Sequence, residues 1–394
     1  MKITYTEKYN RLLDLLVKQR KNANINQQFL ANLFDVNQSI ISRYESCELR
    51  LDIELLARWC EAIDITLESA LLLSGYIQQE TSNFEESKQN VSTNSDVAYP
   101  IGANKTESGF NLILQWQEKN FEIKFPGSEI KKYKEIEKTI TNLFSELNLT
   151  GQKKKNRDAI AEALHLAISL MPEANPSDIY HHIVYRLYLR EYKRSNSSQS
   201  WARAGGEALE LFFKWHYAPL LAPHGISIQL GFESGKKNKF MTEMGLADEV
   251  AGSSKLDICL YGMGKNGLIP FGGVHAKASL AERVSDDKPC SERMMMAGYK
   301  SYLFTLDAKS FPPPTGNLIN LGELGTIQQP SDKRDYIEKH GSFDACFSYN
   351  TRTIPSDKKT ASGKHIYVSY FDNNDTLITL ITDDWKKWKA KNKQ

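Results

Sequence analysis

Cysteine, long apolar runs and net charge are all scarce in this chain of 394 residues. Its five cysteines are scattered and form no C-x-x-C pair, which argues against a disulfide framework and against a zinc module; they are Cys47, Cys60, Cys259, Cys290 and Cys346. No run approaches the roughly 18 apolar residues of a membrane-spanning helix. The N-terminus also lacks an apolar signal segment. We therefore expect a cytoplasmic protein with no membrane partner.

The balance of charge excludes a strongly basic field. Fifty Lys and Arg residues oppose 48 Asp and Glu, for a formal net charge of +2. Any nucleic-acid binding must therefore rest on the local arrangement of charge. Apolar residues make up 41% and charged residues 25%, as in ordinary globular proteins, which excludes wholesale disorder.

The composition changes along the chain and predicts a division into four segments. Residues 1–76 carry apolar residues at helical spacing, which predicts a compact helical domain. Residues 77–109 contain no Leu and many Ser, Asn, Thr and Glu, which is typical of a flexible linker. Residues 110–199 are predicted to form a hairpin followed by helices. Residues 200–394 alternate a long helix with strand-like runs, which predicts a mixed α/β domain with a central sheet.

The first segment resembles the helix-turn-helix of phage-repressor-like (XRE) regulators, over residues 26–63. In that motif the N-terminus of the second helix enters the major groove, where Gln, Ser and Arg side chains can hydrogen-bond to base edges. The resemblance implies a phosphate contact from Gln27 and base contacts from the second helix, at Gln38, Ser39, Ser42 and Arg43. The competing interpretation is a helical bundle used only for dimerisation. Residues 1–75 hold nine Lys plus Arg against ten Asp plus Glu, so we expect modest affinity for DNA in isolation.

The C-terminal half carries acidic residues in positions that suit phosphodiester chemistry. In the helix SWARAGGEALELFFKW, Arg203, Glu207 and Glu210 are spaced by four and three residues and therefore share one face. In the strand KLDICLY, Asp257 lies within an otherwise apolar run. Because burial of a lone carboxylate is costly, this group must be paired, hydrogen-bonded or bound to a metal.

A third segment, GGVHAKASLAERVSDDKPCSER, adds a lysine and a run of charged residues. His275 and Lys277 share one face of the predicted strand, and the chain that follows supplies Glu282, Arg283, Asp286, Asp287 and Glu292. An acidic residue at the end of one strand and a lysine on the next are the parts of a Mg²⁺-dependent phosphodiesterase. Carboxylate oxygens bind the hard cation, and the lysine adds electrostatic stabilisation beside the phosphate.

This order of residues resembles the PD-(D/E)XK nucleases. More narrowly, Asp257 followed by His275-Ala276-Lys277 and the charged run is similar to type II restriction endonucleases that cut sites with a CCGG core, in the BsaWI and AgeI branch. The resemblance implies a restriction-endonuclease-like α/β (α+β) core with a central mixed sheet. It also implies that Asp257, Lys277 and the helix residue Glu207 act together with Mg²⁺.

The same resemblance assigns residues to base recognition. Glu282 would accept hydrogen bonds from cytosine amino groups, and Arg283 would donate to guanine O6 and N7, which are both sound major-groove pairings. We add Arg203, on the face of the helix that also carries Glu207, as a further base contact.

The chain departs from the family pattern at one metal ligand. His275 stands two residues before the lysine, where a second carboxylate is usual, and a neutral imidazole is a poor ligand for Mg²⁺. In this group the carboxylate is often moved to the following helix. Asp287 is therefore the first candidate for the missing ligand and catalytic residue, and Glu292 is the second.

Together these patterns predict a type II restriction endonuclease that makes Mg²⁺-dependent double-strand cuts, as a homodimer on double-stranded DNA. A cognate DNA methyltransferase is expected genetically rather than as a bound partner. The helix-turn-helix would either bind the promoter of the restriction genes or add a DNA contact that regulates cleavage. Two alternatives remain open. One is a transcriptional repressor with a non-catalytic, nuclease-like domain that senses a ligand, which His275 favours. The other is a structure-specific repair nuclease.

Overall fold

The structure is a computed structural model in which the chain divides into two compact units, Met1–Ser92 and Thr93–Gln394. It describes residues 7–23, 25–63, 65, 67, 70–71, 74, 98–116, 118–150, 153–193, 196–233, 239–246, 256–280, 284–309, 318–372 and 375–392. Among these residues, none of the helices combines the length and the apolar character that crossing a membrane requires.

The N-terminal unit is helical around its own apolar core. Its helices are α1 (Glu7–Asn22), α2 (Gln27–Phe34), α3 (Gln38–Glu45) and α4 (Ile53–Ala62). The side chain of Asn26 caps α2 by accepting from the backbone N–H of Phe29, and Asp52 caps α4 in the same way. Helix α2 ends at Asp35, which adopts a left-handed conformation, and α3 begins three residues later. The core is closed by buried side chains from every helix, among them Leu12, Leu16, Leu30, Ala31, Ile41 and Trp59.

A three-stranded antiparallel sheet opens the second unit, with strands β1 (Tyr99–Thr106), β2 (Gly109–Trp116) and β3 (Lys119–Pro126) in that order. Residues 77–97 of the predicted linker lie outside the described residues. The prediction that the linker extends to residue 109 was wrong for 99–106, which form β1. That segment has few apolar side chains, and its backbone pairing with β2 forms the strand at the edge of the sheet without extensive burial.

Helices follow this sheet and lead to the central sheet. They are α5 (Ile130–Thr150), α6 (Lys153–Leu170), α7 (Pro176–Asp178), a π-helical turn (Ile179–Val184), α8 (Tyr185–Glu191) and α9 (Ser197–Leu221). The short helix α7 begins where the side chain of Asn175 caps it and Pro176 takes the first position. Helix α9 packs its apolar face on the sheet, where the ring of Phe213 meets that of Phe304 edge-on at 5.2 Å.

Within the part of the chain that the structure describes, the central sheet has six strands and mixed direction. Its order is β4 (Ile226–Leu230), β5 (Ile258–Gly264), β6 (Gly267–Lys277), β7 (Lys300–Thr305), β8 (Ala345–Ser348) and β9 (His365–Val368). Strands β4 to β6 pair antiparallel, and β6 to β9 pair parallel. The sheet confirms the predicted α/β class with a central mixed sheet.

Helices cover both faces of this sheet. Successive residues of β7 alternate between the two sides: Tyr302 and Phe304 join the core under α9, whereas Leu303 joins a second core. The remaining helices are α10 (Lys239–Glu243), α11 (Val284–Met296), α12 (Asp332–Glu338) and α13 (Thr376–Lys391).

The register of β5 and β6 brings predicted site residues to one edge of the sheet. Ile258 pairs with Val274, so Asp257 lies just before β5 and beside the end of β6. Lys277 is the last residue of β6, and it pairs with Thr305 at the end of β7. Chemistry built on Asp257 and Lys277 is therefore located where these strands end.

Candidate active site and nucleic-acid interface

Asp257 and Lys277 are in direct contact. The Lys277 Nζ lies 2.9 Å from Asp257 Oδ2, and the same oxygen accepts a hydrogen bond from the backbone N–H of Ala276 at 3.0 Å. Both side chains are mostly buried, with 13% of Asp257 and 17% of Lys277 exposed. The mostly buried carboxylate is thus paired and hydrogen-bonded, as its position next to an apolar strand requires.

Asp287 completes a second ion pair with the same lysine. Its Oδ2 lies 2.9 Å from Lys277 Nζ, and its side chain is only 6% exposed. Asp287 belongs to helix α11, which packs on the face of the sheet on which Lys277 lies. Burial lowers the pKa of Lys277, but the carboxylates of Asp257 and Asp287 raise it by more, so this pKa lies above its ordinary value. The ammonium is therefore held charged between two carboxylates.

His275 belongs to the same group but is fully buried. Its Nδ1 lies 3.7 Å from Asp287 Oδ1, and its ring meets that of Phe343 edge-on at 5.6 Å. Burial raises the pKa of Asp287, whereas His275 and Lys277 lower it and prevail, so Asp287 is ionised at neutral pH. Asp257, His275 and Asp287 each offer an atom within 4.8 Å of the others, which is the spacing of a possible metal site.

Helix α9 brings Glu210 to this site. Burial raises the pKa of Glu210 well above its ordinary value, and the charge of Asp257 raises it further, while Lys277 opposes the shift. The charges of Asp257 and Lys277 are thus close enough to act on the carboxyl group of Glu210. Glu207, which the sequence favoured, lies one turn earlier, and its Oε2 is 3.8 Å from Nη1 of Arg157. The sequence placed both residues on one face of the helix, and it held no signal that favoured Glu210 over Glu207.

Glu292 does not join the cluster that the described residues form around Lys277. It follows Asp287 by five residues, which is about 140° around a helix. Its exposed carboxylate accepts a hydrogen bond from Ser342 Oγ at 2.8 Å instead. The expectation that Glu292 is a metal ligand is therefore not supported by the geometry.

The predicted base-reading residues are only partly described. Arg203 is exposed on α9, one helical turn before Glu207. Glu282 and Arg283 lie outside the described residues, directly before α11.

In the N-terminal unit the predicted base contacts share one exposed surface of α3, whereas Gln27, the predicted phosphate contact, begins α2. Gln38, Ser39, Ser42 and Arg43 are all exposed, and half of the Arg43 side chain is accessible. Gln38 Nε2 donates to Gln27 Oε1, and Gln27 Nε2 donates to Glu45 Oε2 at 2.7 Å.

Glu45 is in turn fixed by Arg20. The Arg20 Nε lies 2.6 Å from Glu45 Oε1, and the two side chains are 8% and 11% exposed. A largely buried ion pair therefore orients Gln27, and Gln27 orients the first residue of α3.

Comparisons with known proteins identify the family. Residues 233–375 match the family model RE_BsaWI, described as BsaWI restriction endonuclease type 2. The chain is 52% identical over 233 residues to the type II restriction enzyme AgeI of Thalassovita gelatinovora, which covers 58% of this chain and 83% of that enzyme.

A solved structure agrees in fold. The crystal structure of a specific AgeI–DNA complex matches with a TM-score of 0.65 and 45% identity, over 70% of this chain and 99% of that one. A pre-specific BsaWI–DNA complex matches with a TM-score of 0.37 and 15% identity. The predicted fold and the predicted enzyme class are confirmed, and the chain belongs to the type II restriction endonucleases of the AgeI and BsaWI branch.

Proposed function

We propose that this restriction endonuclease makes Mg²⁺-dependent double-strand cuts in DNA at a site with a CCGG core. The observation that carries the proposal is the position of Lys277 Nζ, 2.9 Å from a carboxylate oxygen of both Asp257 and Asp287. The AgeI relative has been solved bound to DNA, which supports double-stranded DNA as the substrate.

The donor set fits a hard divalent cation. Asp257 and Asp287 offer carboxylate oxygens, and they lie with His275 within 4.8 Å of one another. We propose that these two carboxylates hold Mg²⁺ together with Glu210 or Glu207 of α9, and that Asp287 replaces the carboxylate missing at His275. When bound, Mg²⁺ supplies Lewis-acid stabilisation of the phosphate and an acidified water.

The protein's own groups would orient the reaction. The Lys277 ammonium is fixed before substrate arrives, so it can donate to a non-bridging phosphate oxygen without reorganisation. Burial and the charge of Asp257 raise the pKa of Glu210 above its ordinary value, so its carboxyl group holds a proton more readily than that of an ordinary glutamate. His275, buried against Phe343, would keep Asp287 in place rather than bind the metal itself.

Base recognition and dimerisation complete the proposed function. We propose that Glu282, Arg283 and Arg203 contact the bases of the target. A symmetric cut in a palindrome requires two active sites, so a homodimer on DNA is expected. Because the enzyme would also attack its host genome, a cognate methyltransferase is expected genetically, and both proteins would act in the cytoplasm.

Digestion of phage DNA tests the function directly. In Mg²⁺ the purified protein should produce discrete bands, and sequencing of the ends should place every cut at a site with a CCGG core. Addition of EDTA should stop cleavage because the carboxylates alone cannot offset the transition-state charge. A matched DNA from which the sites have been removed is the control. Intact DNA would favour the repressor alternative, and cuts at junctions without a sequence pattern would favour a repair nuclease.

We further propose that the N-terminal unit binds DNA through the exposed surface of α3. The chain of contacts from Arg20 through Glu45 and Gln27 to Gln38 supports this proposal, because it fixes the side chain that would enter the major groove first. Its DNA is either the promoter of the restriction genes or a duplex next to the cleavage site.

Replacing Gln38 should decide between these two targets. The Gln38→Ala variant should lose about 1–3 kcal/mol of binding to the DNA that α3 reads, because one base contact disappears. Gel-shift titrations without Mg²⁺ on a promoter fragment and on a cleavage-site duplex show which DNA is affected. Gln19→Ala on α1 removes a matched amide and should change neither affinity. Unchanged binding to both DNAs by Gln38→Ala would contradict the assignment of α3 as the reader.

A further inference from the structure

The turn that follows the active-site lysine is held by a carboxylate from a distant part of the chain. Glu323 Oε2 accepts a hydrogen bond from Ser279 Oγ at 3.0 Å and another from the backbone N–H of Leu280. These two residues come directly after β6, which ends at Lys277. One carboxylate oxygen therefore fixes both the backbone and a side chain of this turn.

Glu323 is itself fixed to the sheet through Asp307. The backbone N–H of Glu323 donates to Asp307 Oδ1 at 2.6 Å, and Thr353 Oγ1 donates to Asp307 Oδ2 at 2.7 Å. Asp307 is fully buried. Gly322 has φ +75°, and a Cβ at this position would lie 2.1 Å from Asp307 Oδ2. Only glycine allows this close approach, so Gly322 lets the loop that carries Glu323 pack directly against Asp307.

Asp307, which holds the backbone of Glu323, lies at the same edge of the sheet as the active site. Asp307 follows β7 and Thr353 follows β8, and the backbone N–H of Leu306 donates to the carbonyl of Lys277 at 3.2 Å. Glu323 thus connects the turn after Lys277 to the ends of the neighbouring parallel strands.

Apolar packing joins the same parts. Leu280, Leu324 and Val284, the first residue of α11, belong to one buried cluster. The turn, the Glu323 loop and the start of α11 therefore pack together in one apolar cluster. Helix α11 also carries Asp287, so this packing connects the turn to the helix that places Asp287 beside Lys277.

We propose that Glu323 is a positioning residue for DNA cleavage. It holds the Ser279–Leu280 turn, and through that turn it keeps Asp287 Oδ2 2.9 Å from Lys277 Nζ. Its described contacts are with the turn, not with the Asp257–Lys277–Asp287 cluster, so it acts on the reaction through other residues. This inference rests on the proposed Mg²⁺-dependent cleavage.

The test compares single-turnover cleavage by full-length variants on a cognate duplex in Mg²⁺. Glu323→Ala should lower the cleavage rate about tenfold or more, because two hydrogen bonds to a charged acceptor are lost. Glu323→Gln should restore a rate close to that of the wild type, since its amide oxygen can accept both hydrogen bonds. Gln328→Ala, on the exposed part of the same loop, is the matched control and should have no effect.

Further readouts separate positioning from general destabilisation. The affinity of Glu323→Ala for DNA without metal should match that of the wild type, while its half-saturating Mg²⁺ concentration should rise. Ser279→Ala should give a smaller loss that does not add to that of Glu323→Ala. If Glu323→Ala fails to fold, Ser279→Ala tests the positioning role in its place.

The outcomes distinguish this inference from the proposed function. If the wild type cuts and Glu323→Ala cuts equally fast, the positioning role is wrong and the proposed function stands. An equal loss in Glu323→Ala and Glu323→Gln overturns it as well, as does a Ser279→Ala variant with the wild-type rate. If the wild type itself does not cut DNA in Mg²⁺, the proposed function fails first.

Discussion

Lys277→Ala is expected to abolish DNA cleavage in Mg²⁺ while specific DNA binding persists. The side chain supplies the ammonium that Asp257 and Asp287 hold in place, and a fixed cation beside the reacting phosphate is a large part of the catalytic effect. We expect the single-turnover rate to fall by roughly a thousandfold. Asp257→Ala should have a similar effect, because it removes both the hydrogen-bond acceptor of Lys277 and a proposed metal ligand.

The control for this prediction is Lys339→Ala, which removes an ammonium that is 65% exposed near the end of α12 and should leave the rate unchanged. Binding to the cognate duplex, measured in EDTA, should stay within about threefold of the wild type, which is below 1 kcal/mol. A Lys277→Ala or Asp257→Ala enzyme that still cuts at a rate near that of the wild type would show that the site lies elsewhere.

Asp287→Asn is expected to have the second large effect, and Glu292→Gln is its matched partner on the same helix. Asp287 is buried against Lys277 and His275, so the loss of its charge removes a proposed metal ligand and leaves the lysine with one carboxylate. We expect cleavage to fall by roughly a hundredfold or more, with a higher half-saturating Mg²⁺ concentration. Glu292 is exposed and accepts a hydrogen bond from Ser342 rather than from Lys277, so Glu292→Gln should retain nearly the full rate.

Single-turnover rates measured over a series of Mg²⁺ concentrations separate the two carboxylates. Thermal unfolding of both variants serves as the control for stability. The opposite pattern, with an active Asp287→Asn and an inactive Glu292→Gln, would move the missing carboxylate to Glu292.

The sequence alone could predict those contacts that follow from strand geometry. Asp257 interrupts an apolar strand, and Lys277 lies near the end of the next strand. Antiparallel pairing of adjacent strands brings such residues together with no further information. The central mixed sheet could also be predicted, because the alternation of a long helix with strand-like runs is visible in the local sequence.

Choices between neighbouring residues on a helix were harder to predict. Asp287 and Glu292 are both acidic and both lie in α11, and only the docking of that helix on the sheet selects Asp287. The same holds for Glu210 over Glu207, since one turn of α9 separates a carboxyl group whose pKa Asp257 raises from one that contacts Arg157.

Long-range contacts carried no sequence signal. Glu323 lies in a loop that is distant along the chain from the turn that it holds. Its position depends on Gly322, Asp307 and Thr353, which come from three separate segments. Strand β1 was missed for a related reason. Its stability comes from a backbone ladder with β2, and the side chains of such an edge strand resemble those of a linker.

The interior place of β6 in the central sheet has a consequence for how the enzyme loses activity on heating. Its backbone is hydrogen-bonded to β5 on one side and to β7 on the other, so amide protons there should exchange with solvent only through extensive opening of the sheet. The strand that carries the lysine thus belongs to the last part of this unit to melt. Thermal inactivation should therefore coincide with cooperative unfolding of the sheet rather than with fraying of surface segments.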